Sequence, residues 1–120
     1  MLDLLGLGGI ASQAVTSLPT AMRKRVELAR ALAGVPKLLL LDEPAAGLSR
    51  EEVGVLGRLI RDLRDRLDIT VLLVEHHMGL VMEVSDKVIA LNFGRKIAEG
   101  APVEVSRHAD VKRAYLGMAP

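Results

Sequence analysis

Two carboxylates stand side by side at Asp42 and Glu43, behind four consecutive leucines (residues 38–41) and ahead of Pro44. An aliphatic run stopped by two acids and a proline predicts a strand buried on both faces, with its carboxyl end opening onto a site. Acids held at such an edge suit two kinds of chemistry: offering oxygen ligands to a hard cation, and exchanging a proton with water. The ordinary alternative is a core strand followed by a polar turn, and leucines alone would favour it. The adjacent acids shift the balance toward chemistry. A second polar set, Glu75, His76 and His77, closes another aliphatic and β-branched run that begins at Ile69. An imidazole there can change charge near neutral pH, although a lone histidine is more often structural.

The elements that position these groups follow from local pattern. Ser49, Arg50, Glu51 and Glu52 form an S-x-x-E capping box, which opens a helix with Val53, Leu56, Leu59, Ile60, Leu63 and Leu67 inward. That helix links the two aliphatic strands and so predicts a right-handed parallel βαβ unit, with both strands delivering polar groups to one sheet edge. Upstream, residues 21–33 read as a helix with Met22, Val26, Ala29, Leu32 and Ala33 at helical spacing, closed by Gly34 and Pro36. Leu2, Leu4, Leu5 and Leu7 before Gly8 and Gly9 read as the last turns of another helix. Downstream, a short helix over residues 79–84 precedes a strand over 87–92. Phe93 and Gly94 then make a tight turn into a strand over 95–99. Residues 111–116 predict a short terminal helix.

Composition sets bounds. The 120 residues are half hydrophobic, with one Tyr, one Phe and no Trp, which suits a parallel sheet flanked by helices and argues against stacking on nucleic-acid bases. A formal charge of +1 supplies no steering field for nucleic acid or an anionic membrane. Without cysteine, disulfides and thiolate metal sites are excluded. The apolar start carries Asp3 and several glycines and is too short to span a bilayer, so a cytoplasmic chain without direct membrane insertion is expected.

The ordered motifs resemble the ATP-binding subunit of ABC transporters. Residues 38–43 look like its Walker B strand, Ala46, Gly47, Leu48 and Ser49 like its D-loop, and His76 falls at the place of its switch histidine. Residues 25–32 look like the helix after the signature motif, and residues 94–100 and 114–117 are most similar to subunits for branched-chain amino acid uptake. The resemblance implies an α/β fold, a partial P-loop nucleoside triphosphate hydrolase domain with a C-terminal hairpin and helix. It implies ATP and Mg²⁺ as cofactors, Asp42 as the Mg²⁺ residue, Glu43 as the base acting on water, and His76 as a contact to the γ-phosphate. Thr20, Ala21 and Ser49 would contact nucleotide or the partner subunit. Ser49 is also explained by helix capping alone, and His77, where the family usually has an aspartate, reads as a partly exposed polar residue. The implied partners are a second ATP-binding subunit and membrane-spanning permease subunits, placing the protein at the inner face of the cell membrane.

Two departures restrict this reading. Residues 18–22 replace the serine, glycine and glutamine of the signature Leu-Ser-x-Gly-Gln. Pro19 removes a hydroxyl and an N–H, Ala21 adds a methyl where close approach is needed, and Thr20 offers a substitute hydroxyl. Further, no G-x-x-x-x-G-K-[ST] stretch is present. The expectation is therefore the C-terminal half of one domain: residues 1–34 ending the helical subdomain and signature helix, 35–92 running from Walker B to the switch region, and 93–120 forming the C-terminal hairpin and helix. Loss of the phosphate-loop strand would leave the isolated chain poorly folded or self-associating. Two rivals stand beside a transport ATPase: a non-catalytic fragment unable to bind ATP alone, and an ATPase of this fold acting outside transport.

Overall fold

The computed structural model describes residues 5–115, and the chain divides into two compact units, the first ending at Val74 and the second starting at Glu75. In the first unit the segment after Leu5 is not α-helical. It makes two single 3-10 turns, Gly8–Ile10 and Val15–Ser17, because Gly6, Gly8 and Gly9 make a regular helix too costly. Leu5 and Leu7 are nonetheless fully buried; Leu2 and Leu4 lie outside the described residues. The helix α1, Thr20–Leu32, follows. Its arginines hold the preceding loop: Arg23 Nε donates to the Leu18 carbonyl at 2.9 Å and Arg25 Nη1 to the Leu5 carbonyl at 3.4 Å. The buried residues of α1 are Leu28, which was not among the expected inward positions, and Leu32, which was; the expected Met22, Val26 and Ala29 are half-buried.

The βαβ unit forms as expected. β1, Leu38–Asp42, and β2, Thr70–Val74, pair in parallel with Leu38 opposite Thr70 and Asp42 opposite Val74. The crossover helix α2, Arg50–Leu67, buries Val53, Leu56, Gly57, Ile60 and Leu63. Asp68, in the left-handed region at φ 50°, ends it.

One expectation fails. β1 is buried on one face rather than both. Leu39 is buried, whereas Leu38, Leu40, Leu72 and Val74 are all more than half exposed, Leu40 at 65%. The register puts these side chains on a single face of the strand pair, and no described residue covers it. Continuous leucine content shows that both faces want burial but does not supply the second cover.

In the second unit, α3, Met78–Val84, precedes β3, Val88–Asn92, and β4, Arg95–Gly100, which pair antiparallel with an irregularity between Ala90 and Leu91. Phe93 and Gly94 both have positive φ, 48° and 77°, the two-residue geometry that matches the right-handed twist of hairpin strands. Glu99 on β4 receives Lys87 at 2.9 Å and Lys96 at 3.1 Å. The hydrogen bond from Lys87, then that from Lys96, lowers its carboxyl below the usual range. Two short helices close the unit: α4, Pro102–Arg107, and α5, Ala109–Tyr115. Val105 and Val111 from these helices pack with Ala90 in a small core flanked by Val88, Ile97 and Ala98. The α4 helix was not expected, although Pro102 at its first position is a start signal. The predicted terminal helix is α5, and Leu116 lies outside the described residues.

Candidate functional site

Asp42 is the last residue of β1 and is exposed. Its side chain has no hydrogen bond or ion pair with any described residue. Glu43 follows with φ 48°, a left-handed conformation uncommon for a non-glycine residue. Its N–H donates to the Val74 carbonyl at 2.7 Å, so the chain stays tied to β2 while it turns. Pro44 and Ala45 are buried beneath this turn. The effect is to carry two consecutive carboxylates out beyond the carboxyl end of a parallel pair, where open α/β sheets bind ligands. Backbone strain of this kind persists where surrounding structure holds it, here the buried Pro44 and the Glu43 hydrogen bond.

Ser49 is the N-cap of α2. Its hydroxyl accepts from the Glu52 N–H at 3.2 Å, and its own N–H donates to Glu52 Oε1 at 3.0 Å, completing the capping box. Thr20 is the first residue of α1, whose N-cap, Pro19, makes no side-chain cap hydrogen bond. The leading N–H groups of α1 are therefore not satisfied by a cap, a condition that suits an anion. Gly47, at φ 78°, brings the loop before α2 against Thr20: a Cβ at Gly47 would stand 3.7 Å from Thr20 Cγ2. Thus Thr20 and the loop leading to Ser49 share one neighbourhood. Ala21 is half-buried on the side of α1 that faces α2.

His76 is exposed and belongs to the second unit. Its N–H and that of His77 both donate to Glu75 Oε2, at 2.9 and 3.0 Å. His77 caps α3, its Nδ1 accepting from the Leu80 N–H at 3.3 Å. So His77 has a defined structural role beyond partial exposure, and Glu75 orders the segment that carries both histidines. Sequence reading places Glu75 at the strand end with the two histidines but assigns it no role of its own.

A family model described as ABC transporter matches residues 1–46, and one described as branched-chain amino acid ATP-binding cassette transporter matches residues 95–117. LivG of Escherichia coli, a high-affinity branched-chain amino acid transport ATP-binding protein, is 42% identical over 118 residues, 98% of this chain and 46% of that protein. The chain belongs to the ABC transporter ATP-binding family. BraF of Pseudomonas aeruginosa, with the same description, is 41% identical over 98% of the chain and 46% of its own length. A zinc import ATP-binding protein, ZnuC of Alkalilimnicola ehrlichii, is 47% identical over 78% of the chain and 38% of its own length. Among solved structures, an ATP-binding cassette of an ABC transporter in its ADP conformation superposes with a TM-score of 0.87 at 28% identity, over 97% of this chain and 47% of that one. CbiO1 from Clostridium perfringens, part of an ABC transporter complex, gives 0.84 at 32% identity, over 93% and 45%. The fold is that of an ABC ATPase, and the chain spans about half the length of the curated relatives it matches.

The family's cofactors can be set against these side chains. Among the described residues no group of three or more His, Cys, Asp or Glu side chains could hold a metal ion as an all-protein cage. A single exposed carboxylate such as Asp42 fits Mg²⁺, which keeps several waters and takes its remaining ligands from phosphate. For the nucleotide, the chain offers the uncapped start of α1 but no phosphate-cradling G-x-x-x-x-G-K-[ST] loop.

Proposed function

We propose that this chain forms the Walker B to C-terminal half of an ATP-hydrolysing subunit that energises uptake of branched-chain amino acids. The observation that carries the reading is the 42% identity to LivG along 98% of the chain, joined by the branched-chain amino acid family match at residues 95–117. Its proposed parts are residues 1–34, 35–92 and 93–120.

Within that assembly Asp42 holds Mg²⁺ through water, and Glu43, turned out by its left-handed backbone, polarises the attacking water. Bound Mg²⁺ neutralises charge on the transferring phosphoryl group. His76 donates a hydrogen bond toward the γ-phosphate. The uncapped start of α1, with Thr20 and Ala21, faces the γ-phosphate bound by a second ATP-binding subunit, and the loop ending at Ser49 meets that subunit. Permease subunits hold the pair at the inner face of the membrane; no helix among the described residues is long and apolar enough to cross it. The phosphate loop comes from the half of the domain that these residues do not span.

The test is transport. The chain is joined to the amino-terminal half of E. coli LivG and expressed in cells lacking LivG. Restored leucine uptake supports the reading; a functional ATPase that restores no leucine uptake removes the solute assignment. Zinc uptake measured with the corresponding ZnuC fusion distinguishes the second solute class that the relatives bring in.

A further inference from the structure

Between α1 and α2 lies a cavity of about 260 Å³, wholly within the first unit and distinct from the end of β1. Its lining carries both charges: Lys24 and Arg25 from α1, Glu51 and Glu52 from α2. Two of these charges are already engaged. Arg25 donates to the Leu5 carbonyl, and Glu52 closes the capping box with Ser49. Lys24 and Glu51 have no side-chain hydrogen bond or ion pair among the described residues, and they line the cavity from opposite helices. Apolar groups complete it, chiefly Val55, Leu56 and Leu59 along α2.

We propose that this cavity binds a zwitterionic amino acid with a short aliphatic side chain. Its carboxylate pairs with the Lys24 ammonium, its own ammonium with the Glu51 carboxylate, and its side chain covers Val55, Leu56 and Leu59. Three features favour this class. A volume of about 260 Å³ has room for a small metabolite. Among the described residues that line it, one cation from α1 and one anion from α2 are without a side-chain partner, which matches a ligand with one charge of each sign. An apolar surface beside them recovers hydrophobic contact that a purely polar ligand would forgo. The cavity touches Ala21 and Leu48, so an occupant would sit against both the start of α1 and the loop before α2. The binding claim stands on the α1 and α2 side chains alone and does not depend on the proposed transport role.

The experiment titrates the full 120-residue chain with L-leucine by calorimetry and by chemical-shift changes. Leucinol, which lacks the carboxylate, and 4-methylvalerate, which lacks the amine, serve as comparison ligands. Leucine is expected to bind, and each analogue to bind at least about tenfold more weakly, the loss of one charged contact. Lys24→Gln should then bind leucine no better than leucinol, and Glu51→Gln no better than 4-methylvalerate. Lys24 is half-buried and Glu51 exposed, and an unchanged far-UV spectrum checks that the variants fold. Equal binding of all three ligands, leucine binding unaffected by either substitution, or no saturation up to about 10 mM leucine would each overturn the proposal.

Discussion

At the scale of single residues, the sequence pattern was most informative where the governing interaction is local. Ser49 and Glu52 are three positions apart, and their reciprocal hydrogen bonds need only a helix start to exist. Replacing Ser49 with Ala should lower stability by about 1 kcal/mol, read as a shifted denaturation midpoint. Glu52→Ala should cost less than that when Ser49 is already absent, because the two act as one cap. An unchanged midpoint for Ser49→Ala would show that the cap contributes nothing to α2. The position of Asp42 at a strand end was equally legible, since four leucines and a proline frame it. The left-handed turn at Glu43 was not legible. It depends on the hydrogen bond to Val74, a partner 31 positions away that no local pattern names. The role of Glu75 was not legible for a related reason: its carboxylate reaches the N–H groups of the next two residues only in the observed loop conformation.

At the scale of elements, the hairpin offers two direct checks. Gly94, at φ 77°, occupies a conformation that costs a residue with a Cβ roughly 1 kcal/mol or more. Gly94→Val should therefore destabilise the second unit by about that amount, measured as loss of amide-exchange protection in β3 and β4. The carboxylate of Glu99, lowered first by Lys87 and then by Lys96, sets a pH dependence. A depressed folded-state pKa means that the contribution is complete above the ordinary glutamate value and is lost as pH falls through the lowered one. Glu99 is exposed, so the effect is small and salt-sensitive. Glu99→Gln should flatten the acid limb of hairpin stability, and an acid limb identical in both proteins would discard the pair as its source. The turn was readable from Phe93 and Gly94. By contrast, α4 was obscured because six residues are too few to show a helical period, leaving Pro102 as its sole marker.

At the scale of the whole molecule, the informative mismatch is the open face of β1 and β2. Leucine content correctly signals a strand that is stable only when both faces are covered, but covering is a tertiary fact that no stretch of 120 residues states about itself. Leu38, Leu40, Leu72 and Val74 together form an exposed apolar patch, and covering each of them contributes roughly 1 kcal/mol or more. The chain alone should therefore associate with itself, its sedimentation mass rising with concentration, and Leu40→Lys with Leu72→Lys should suppress that rise. A monomer at every concentration with a sharp reversible melt would contradict this. The same open face accords with a chain that spans about half the length of its relatives. The central claim, that these residues carry the hydrolytic corner of an ABC ATPase, is tested most directly by ATP turnover of the chain joined to the amino-terminal half of LivG, with and without Glu43→Gln. The account predicts measurable turnover that falls roughly a hundredfold or more in the variant. Turnover of equal rate in both proteins would contradict it.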